Sequence, residues 1–228
     1  MLTIVPQLLS SADARALAAR LRDGAWVNGN VTSGEGASLK KRNRQLDEGS
    51  ALAAAARSQV QAALAASAVF LSAALPARIV PPMFNRYGVG DGYGAHIDNA
   101  IRVDHGSGTQ MRTDLSATLF LSDPGEYDGG ALTIEGAFGA VEYKLNAGDL
   151  LLYSASSLHH VSPITRGERL ASFFWVQSLV RDDAAREMLF TLDQSVQALT
   201  EDRGGDDGEV LRLTSLYHNL VRRWADPA

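Results

Sequence analysis

Asp114-Leu-Ser-Ala-Thr-Leu-Phe-Leu-Ser122 decides the fold. Leu115, Ala117, Leu119 and Leu121 take one side of an extended chain, and Ser116, Thr118 and Phe120 the other, because successive side chains of a strand face opposite ways. Outward from it the same period recurs in short runs at 79–87, 131–135, 141–145, 150–153 and 169–180, with a further candidate at 26–31. Pro81-Pro82 suits a strand entry or an edge. Asp128-Gly129-Gly130 and Asn146-Ala-Gly148-Asp149 read as turns between runs, with Asp149 a turn former. Seven or eight short strands separated by glycine turns predict a mainly β chain, an antiparallel sandwich or jelly roll.

Helical patterns flank the strands. Ser10-Ser11-Ala-Asp13 caps a helix running to Arg22 and ending at Gly24, and Ser50 opens an alanine-rich helix to about Ala66 with Leu52, Ala56, Val60 and Leu64 in one stripe. Beyond 179 the pattern is helical again, over 182–199 and 210–224, with a polar break at 201–209. The expected organisation is therefore a support region at 1–77, a β core at 78–178 and a C-terminal helical appendage at 179–228.

The 228 residues are 46% hydrophobic and 21% charged, the composition of an ordinary globular chain. No cysteine is present, which excludes disulfides, zinc–thiolate and iron–sulfur sites and a thiol nucleophile. The net charge of −5 gives no general attraction to nucleic acid. No stretch has the length of a membrane span, and Pro6 breaks the first apolar residues before they resemble a signal peptide; a cytoplasmic protein is the expectation. Residues 28–44, rich in Gly, Asn, Ser and Lys, read as a loop, and Lys40-Lys41-Arg42-Asn43-Arg44 within it as a solvated basic cluster. The glycine-rich turn at 88–94 lacks the Lys-Ser/Thr and helix start of a phosphate loop. Residues 98–113 read as a long polar loop, a candidate lid.

The chemistry concentrates in His96-Ile-Asp98, His159 and Arg169. Residues two apart on a strand point the same way, so His96 and Asp98 share a face. Two imidazoles and a carboxylate leave open positions on Fe(II). His160 competes with His159 by sequence, but neighbours on a strand face opposite sides, so one ion takes only one of them. Arg169 lies in an apolar run with Ala171, Phe173 and Trp175 on its face. A buried guanidinium there suits bidentate capture of a carboxylate. Together they point to a metal that meets a small dicarboxylate and dioxygen. His105 and His218 read as solvated or packing residues, and Tyr93 equally as a site residue or a core aromatic.

Phe84-Asn-Arg-Tyr87, Gly92-Tyr-Gly-Ala-His96-Ile-Asp98, Tyr127-Asp-Gly-Gly-Ala-Leu132, Gly148-Asp149, His159 and Arg169 resemble the Fe(II)/2-oxoglutarate-dependent dioxygenases, in the prolyl 4-hydroxylase-like branch. Arg102, the run 112–122 and Ser156-Ser-Leu-His159 resemble the bacterial PKHD-type hydroxylases over essentially the whole chain. The resemblance implies a double-stranded β-helix, Fe(2+) on His96, Asp98 and His159, 2-oxoglutarate as co-substrate anchored by Arg169, and L-ascorbate as reductant. It implies hydroxylation of a second substrate with O2, giving succinate and CO2. Ala171 departs from the Ser or Thr that such families often carry two residues after the basic residue, so Tyr87 or Thr118 is expected to complete the pocket. The basic residues of 98–113 and 40–44 suggest a positive mouth and an anionic substrate, small or peptidyl; pairing with Glu35, Asp47, Asp104 and Asp114 is their alternative role. Two rival readings keep the scaffold: a cupin-like isomerase or hydrolase using Zn(II) or Mn(II), and a non-catalytic jelly-roll binding module. The oligomeric state is left open.

Overall fold

The computed structural model describes residues 2–29, 41–103, 108, 110–136 and 138–226. Among them, two antiparallel sheets enclose one core, and the larger sheet and the helices enclose another. The larger contains, in spatial order, β1 (Leu2–Val5), β14 (Leu150–Ser154), β10 (Leu115–Phe120), β17 (Arg169–Ser178), β6 (Met83–Tyr87), β4 (Arg44–Leu46) and β2 (Trp26–Asn28). β5 (Pro76–Ile79) pairs with the remainder of β17. The smaller runs β13 (Gly139–Tyr143), β12 (Leu132–Gly136), β15 (His159–Val161), β7 (Gly92–His96) and β3 (Lys41–Arg42). Two short ribbons, β8 (Ile101–Val103) with β9 (Gln110–Arg112) and β11 (Tyr127–Asp128) with β16 (Arg166–Gly167), complete the strands among the described residues.

The alternation of β10 divides two cores as its sequence predicts. Leu115, Ala117, Leu119 and Leu121 pack toward the helices, with Leu17, Leu21, Val60, Leu64 and Phe70. Phe120 turns the other way, into the layer between the sheets with Tyr87, Leu132, Ile134, Leu151, Tyr153 and Val161. The helical layer is α1 (Ser11–Arg22), α2 (Ala51–Ala66) and α3 (Ala68–Ala74), each begun by a serine whose hydroxyl accepts a backbone N–H of the first turn. α4 (Asp183–Arg203) and α5 (Gly208–Trp224) pack as a pair against α3 and the segment after β17, around Val180, Leu189, Tyr217 and Trp224. At the turn after β11, Gly129 has φ +71°, and a Cβ there would lie 2.0 Å from the carbonyl oxygen of Pro163, so only glycine fits.

Three local expectations are corrected, and one helix is added. Pro81-Pro82 splits the run at 79–87 into β5 and β6, because proline cannot donate to a ladder. The run at 98–113 is not a plain loop: 101–103 and 110–112 pair as β8–β9, while Asp104, His105 and the rest of its turn apart from Gly108 lie outside the described residues. Residues 41–44 are not a solvated loop, since β3 pairs with β7 and β4 with β6; Lys41 and Asn43 are buried, Arg42 and Arg44 exposed. Residues 30–40, including Lys40, Glu35 and the end of the predicted 26–31 strand, lie outside the described residues. α3, finally, has no counterpart in the sequence reading.

Candidate metal centre

His96 is the last residue of β7 and His159 the first of β15, and the two face each other across the ladder. Asp98 follows two residues beyond, where β7 has ended. One donor atom from each of the three lies within 4.8 Å of the others. Nε2 of His96 is 4.0 Å from Oδ1 of Asp98, and Nε2 of His159 is 3.8 Å from Oδ2. Nδ1 of His96 is 2.9 Å from the Gly94 carbonyl and Nδ1 of His159 is 2.9 Å from the Ser157 carbonyl. A carbonyl only accepts, so each Nδ1 carries the proton and each Nε2 offers a lone pair. Burial, and then the neighbouring His159, push the His96 pKa down to about 4, keeping it neutral. The donor set fits a divalent ion of the iron class: two neutral imidazoles and a carboxylate on one side, an open cavity on the other.

Further contacts fix these side chains. Ser116, on β10, donates to Oδ2 of Asp98. Tyr93 stacks on His96 with ring centroids 3.6 Å apart, so it is part of the site and not simply core. Tyr153 meets His159 edge-on at 5.1 Å. Its phenol pKa is raised, first by burial and then by the Asp98 charge, and a hydrogen bond from Thr118 opposes this in part.

Arg169 opens β17 opposite Tyr87 of β6 and is 1% exposed. Its guanidinium lies 5.1 Å from the Phe120 ring and 5.5 Å from the Tyr87 ring. Its Nε is buried without a hydrogen-bond partner, and its guanidinium sits beside the buried Tyr127 phenol. A buried cation with an unused Nε–H is a receptor for an anion. Tyr87, Thr118, Tyr153 and Arg169 all line the cavity that also holds His96, Asp98 and His159. Every sequence-selected site residue therefore borders one cavity. His160 lies beside it on β15, opposite Thr133, and does not line it. His218 is exposed on α5, and His105 lies outside the described residues.

Lys41, Arg102, Phe173 and Trp175 line the same cavity. Lys41 lies 5.4 Å over Tyr93 and 5.8 Å over Phe173; burial first, and Arg102 second, lower its pKa to about 8. The Arg102 guanidinium lies 3.8 Å over the Trp175 indole. Arg112 does not join them: it makes a forked pair with Asp114, at 2.6 and 3.0 Å, which was its alternative role.

Residues 82–177 match the 2OG-Fe(II) oxygenase superfamily, and residues 183–226 match the PKHD-type hydroxylase C-terminal domain. A PKHD-type hydroxylase of Burkholderia thailandensis is 58% identical over 88% of each chain, and one of Methylobacillus flagellatus is 54% identical over 99% of this chain and 100% of that one. Among solved structures, a Pseudomonas putida prolyl-4-hydroxylase shares the fold with TM-score 0.52 and 24% identity, covering 78% of this chain and 92% of that one. HygX from Streptomyces hygroscopicus, solved with nickel and 2-oxoglutarate bound, does so with TM-score 0.51 and 15% identity, covering 76% and 81%. The jelly-roll core and helical C-terminus expected from the sequence are thus those of known oxygenases. This chain belongs to the PKHD-type hydroxylases, a family of Fe(II)- and 2-oxoglutarate-dependent oxygenases.

Proposed function

We propose that His96, Asp98 and His159 hold Fe(II), that Arg169 anchors the distal carboxylate of 2-oxoglutarate, and that the chain hydroxylates a second, anionic substrate. The observation that carries the reading is the pair of imidazoles whose Nδ1 protons are committed to backbone carbonyls, both presenting Nε2 toward Asp98. When bound, iron with 2-oxoglutarate and dioxygen supplies the oxidising chemistry: one oxygen atom enters succinate, CO2 leaves, and the other becomes the product hydroxyl.

The chain's own residues have four tasks in this reading. His96 arrives neutral, so no proton has to leave it at neutral pH. Ser116 holds the Asp98 carboxylate at one oxygen. Arg169 supplies a fork in an apolar wall of Phe120 and Tyr87, where its charge is little screened. Tyr87, Thr118 and Tyr153 offer hydroxyls to the co-substrate in place of the residue that Ala171 does not provide. Ascorbate, as reductant, and a cytoplasmic setting complete the reading; no described helix is long and apolar enough to cross a membrane.

The test is conversion of 2-oxoglutarate to succinate by the iron-loaded protein. We expect slow, O2-dependent succinate formation without a second substrate, abolished in Asp98→Ala. Metal-dependent isomerisation or hydrolysis with no consumption of 2-oxoglutarate would favour the cupin-like reading instead.

A further inference from the structure

Tyr127-Asp-Gly-Gly-Ala-Leu132 supplies no metal donor, and Tyr127 does not line the cavity, yet the local structure holds this tyrosine tightly. Tyr127 opens β11 and pairs with Gly167 of β16, two residues before Arg169. Gly167 has φ +75°, and a Cβ there would lie 2.0 Å from the Glu126 carbonyl oxygen and 3.0 Å from Cα of Tyr127, so the close approach needs glycine. Lys144 covers the ring, with Nζ 4.3 Å from its centroid, and donates to the Tyr127 carbonyl at 2.9 Å. The ring is buried in the layer between the sheets, with Tyr87 and Phe120. Those two rings also wall the Arg169 guanidinium, at 5.5 and 5.1 Å.

A phenylalanine would fill the same space. The hydroxyl is what needs a reason, because a polar group buried among apolar ones costs free energy without a partner. Arg169 is the neighbour that supplies one. Burial raises the Tyr127 pKa, and the adjacent guanidinium offsets part of the rise through its charge and through hydrogen bonding. A guanidinium only donates, so the phenol oxygen is the acceptor in this contact. The guanidinium is also planar, with its N–H groups in a rigid fork, so an acceptor on one edge sets the plane and direction of the others. Arg169 lines the cavity and Tyr127 does not, which puts the phenol behind the guanidinium as a ligand would meet it.

We propose that Tyr127 is a positioning residue for the anchor: its phenol oxygen accepts from the Arg169 guanidinium behind the cavity wall and fixes the edge that Arg169 turns to the distal carboxylate of 2-oxoglutarate. The assignment rests on the reading that Arg169 anchors that carboxylate.

The test compares 2-oxoglutarate with 2-oxopentanoate, which keeps the metal-chelating end and carries a methyl group in place of the distal carboxylate. Both are titrated calorimetrically, without O2, into Mn(II)-loaded wild type, Tyr127→Phe and Arg169→Ala. Tyr127→Phe should weaken 2-oxoglutarate about ten-fold, the scale of a hydrogen bond to a charged group, and change 2-oxopentanoate by less than about two-fold. Tyr143→Phe removes a half-buried phenol packed against the same core and should change neither by more than about two-fold. Tyr127→Phe that binds 2-oxoglutarate as well as wild type, or that loses both ligands equally, overturns the positioning role and leaves the anchor in place. Arg169→Ala that still prefers 2-oxoglutarate over 2-oxopentanoate as wild type does overturns the anchor, and the role of Tyr127 with it.

Discussion

Ser116 donates a 2.5 Å hydrogen bond to Oδ2 of Asp98. The two residues lie on different elements, β10 and the segment after β7, so the bond ties the carboxylate to the larger sheet while both histidines belong to the smaller one. A carboxylate that is steered by a hydroxyl presents a fixed lone pair, and such outer contacts typically contribute 10–100-fold to metal affinity. Ser116→Ala should therefore weaken Fe(II) binding by about 10–100-fold with the fold intact, and Ser116→Thr should restore much of it. Anaerobic metal titration checks this; an alanine variant with unchanged affinity would leave Ser116 without a positioning role.

Arg169→Ala should lose 2-oxoglutarate affinity by about 3–5 kcal/mol, because the co-substrate carboxylate would be buried without its partner. Arg169→Lys should recover only part of this, since an ammonium lacks the two-pronged geometry. Calorimetry on the Mn(II)-loaded protein measures both. Normal binding in the alanine variant would move the anchor elsewhere.

Stability of the metal-free protein should depend on pH through His96. Its pKa falls from an ordinary value near 6.5 to about 4 in the fold, so between those values the unfolded chain binds the proton and the folded chain does not. The contribution of neutral His96 is fully present above about pH 6.5 and is lost as pH drops toward 4. Thermal midpoints should fall over that window in the wild type and fall less in His96→Gln. Parallel curves for the two proteins would show that His96 titrates as a solvated histidine.

Much of this site is legible in the chain because it is written in local patterns. The alternation of 114–122 assigns Ser116 and Thr118 to the face opposite Leu115 and Leu119, where Thr118 lines the cavity and Ser116 reaches Asp98. The short His96-x-Asp98 spacing likewise brings both donors to one site, although β7 ends at His96 and Asp98 lies beyond the strand. Lys41 is different. β3 is two residues long, too short for a period, and its burial is set by pairing with Tyr93, far along the sequence. The β8–β9 ribbon is hidden by a polar composition that reads as loop, because its strands are three residues each. α3 continues an alanine-rich stretch and is marked only by its cap, Ser67, which accepts from the Phe70 N–H. Conversely, the pairing of Arg112 with Asp114 is a two-residue contact that favoured the plainer role given to that arginine.

Arg186 fastens the C-terminal helices to the core. It is 1% exposed on α4 and donates to the backbone carbonyls of Val180 and Arg181, the residues that link β17 to α4, and pairs with Asp183. Arg186→Met keeps the aliphatic stem but leaves those carbonyls unpaired, at a cost of about 1–3 kcal/mol. The thermal midpoint should fall, with proteolysis rising first within α4 and α5. A variant as stable and as resistant as wild type would show that apolar packing around Val180 and Leu189 holds the pair unaided.

The most direct test compares two adjacent histidines. Fe(II) is titrated without O2, in the presence of 2-oxoglutarate, into wild type, His159→Ala and His160→Ala, and bound metal is counted after separation. The account predicts one equivalent in wild type and in His160→Ala, whose side chain does not line the cavity, and severe loss in His159→Ala. Undiminished iron in His159→Ala, or its loss in His160→Ala, would contradict it.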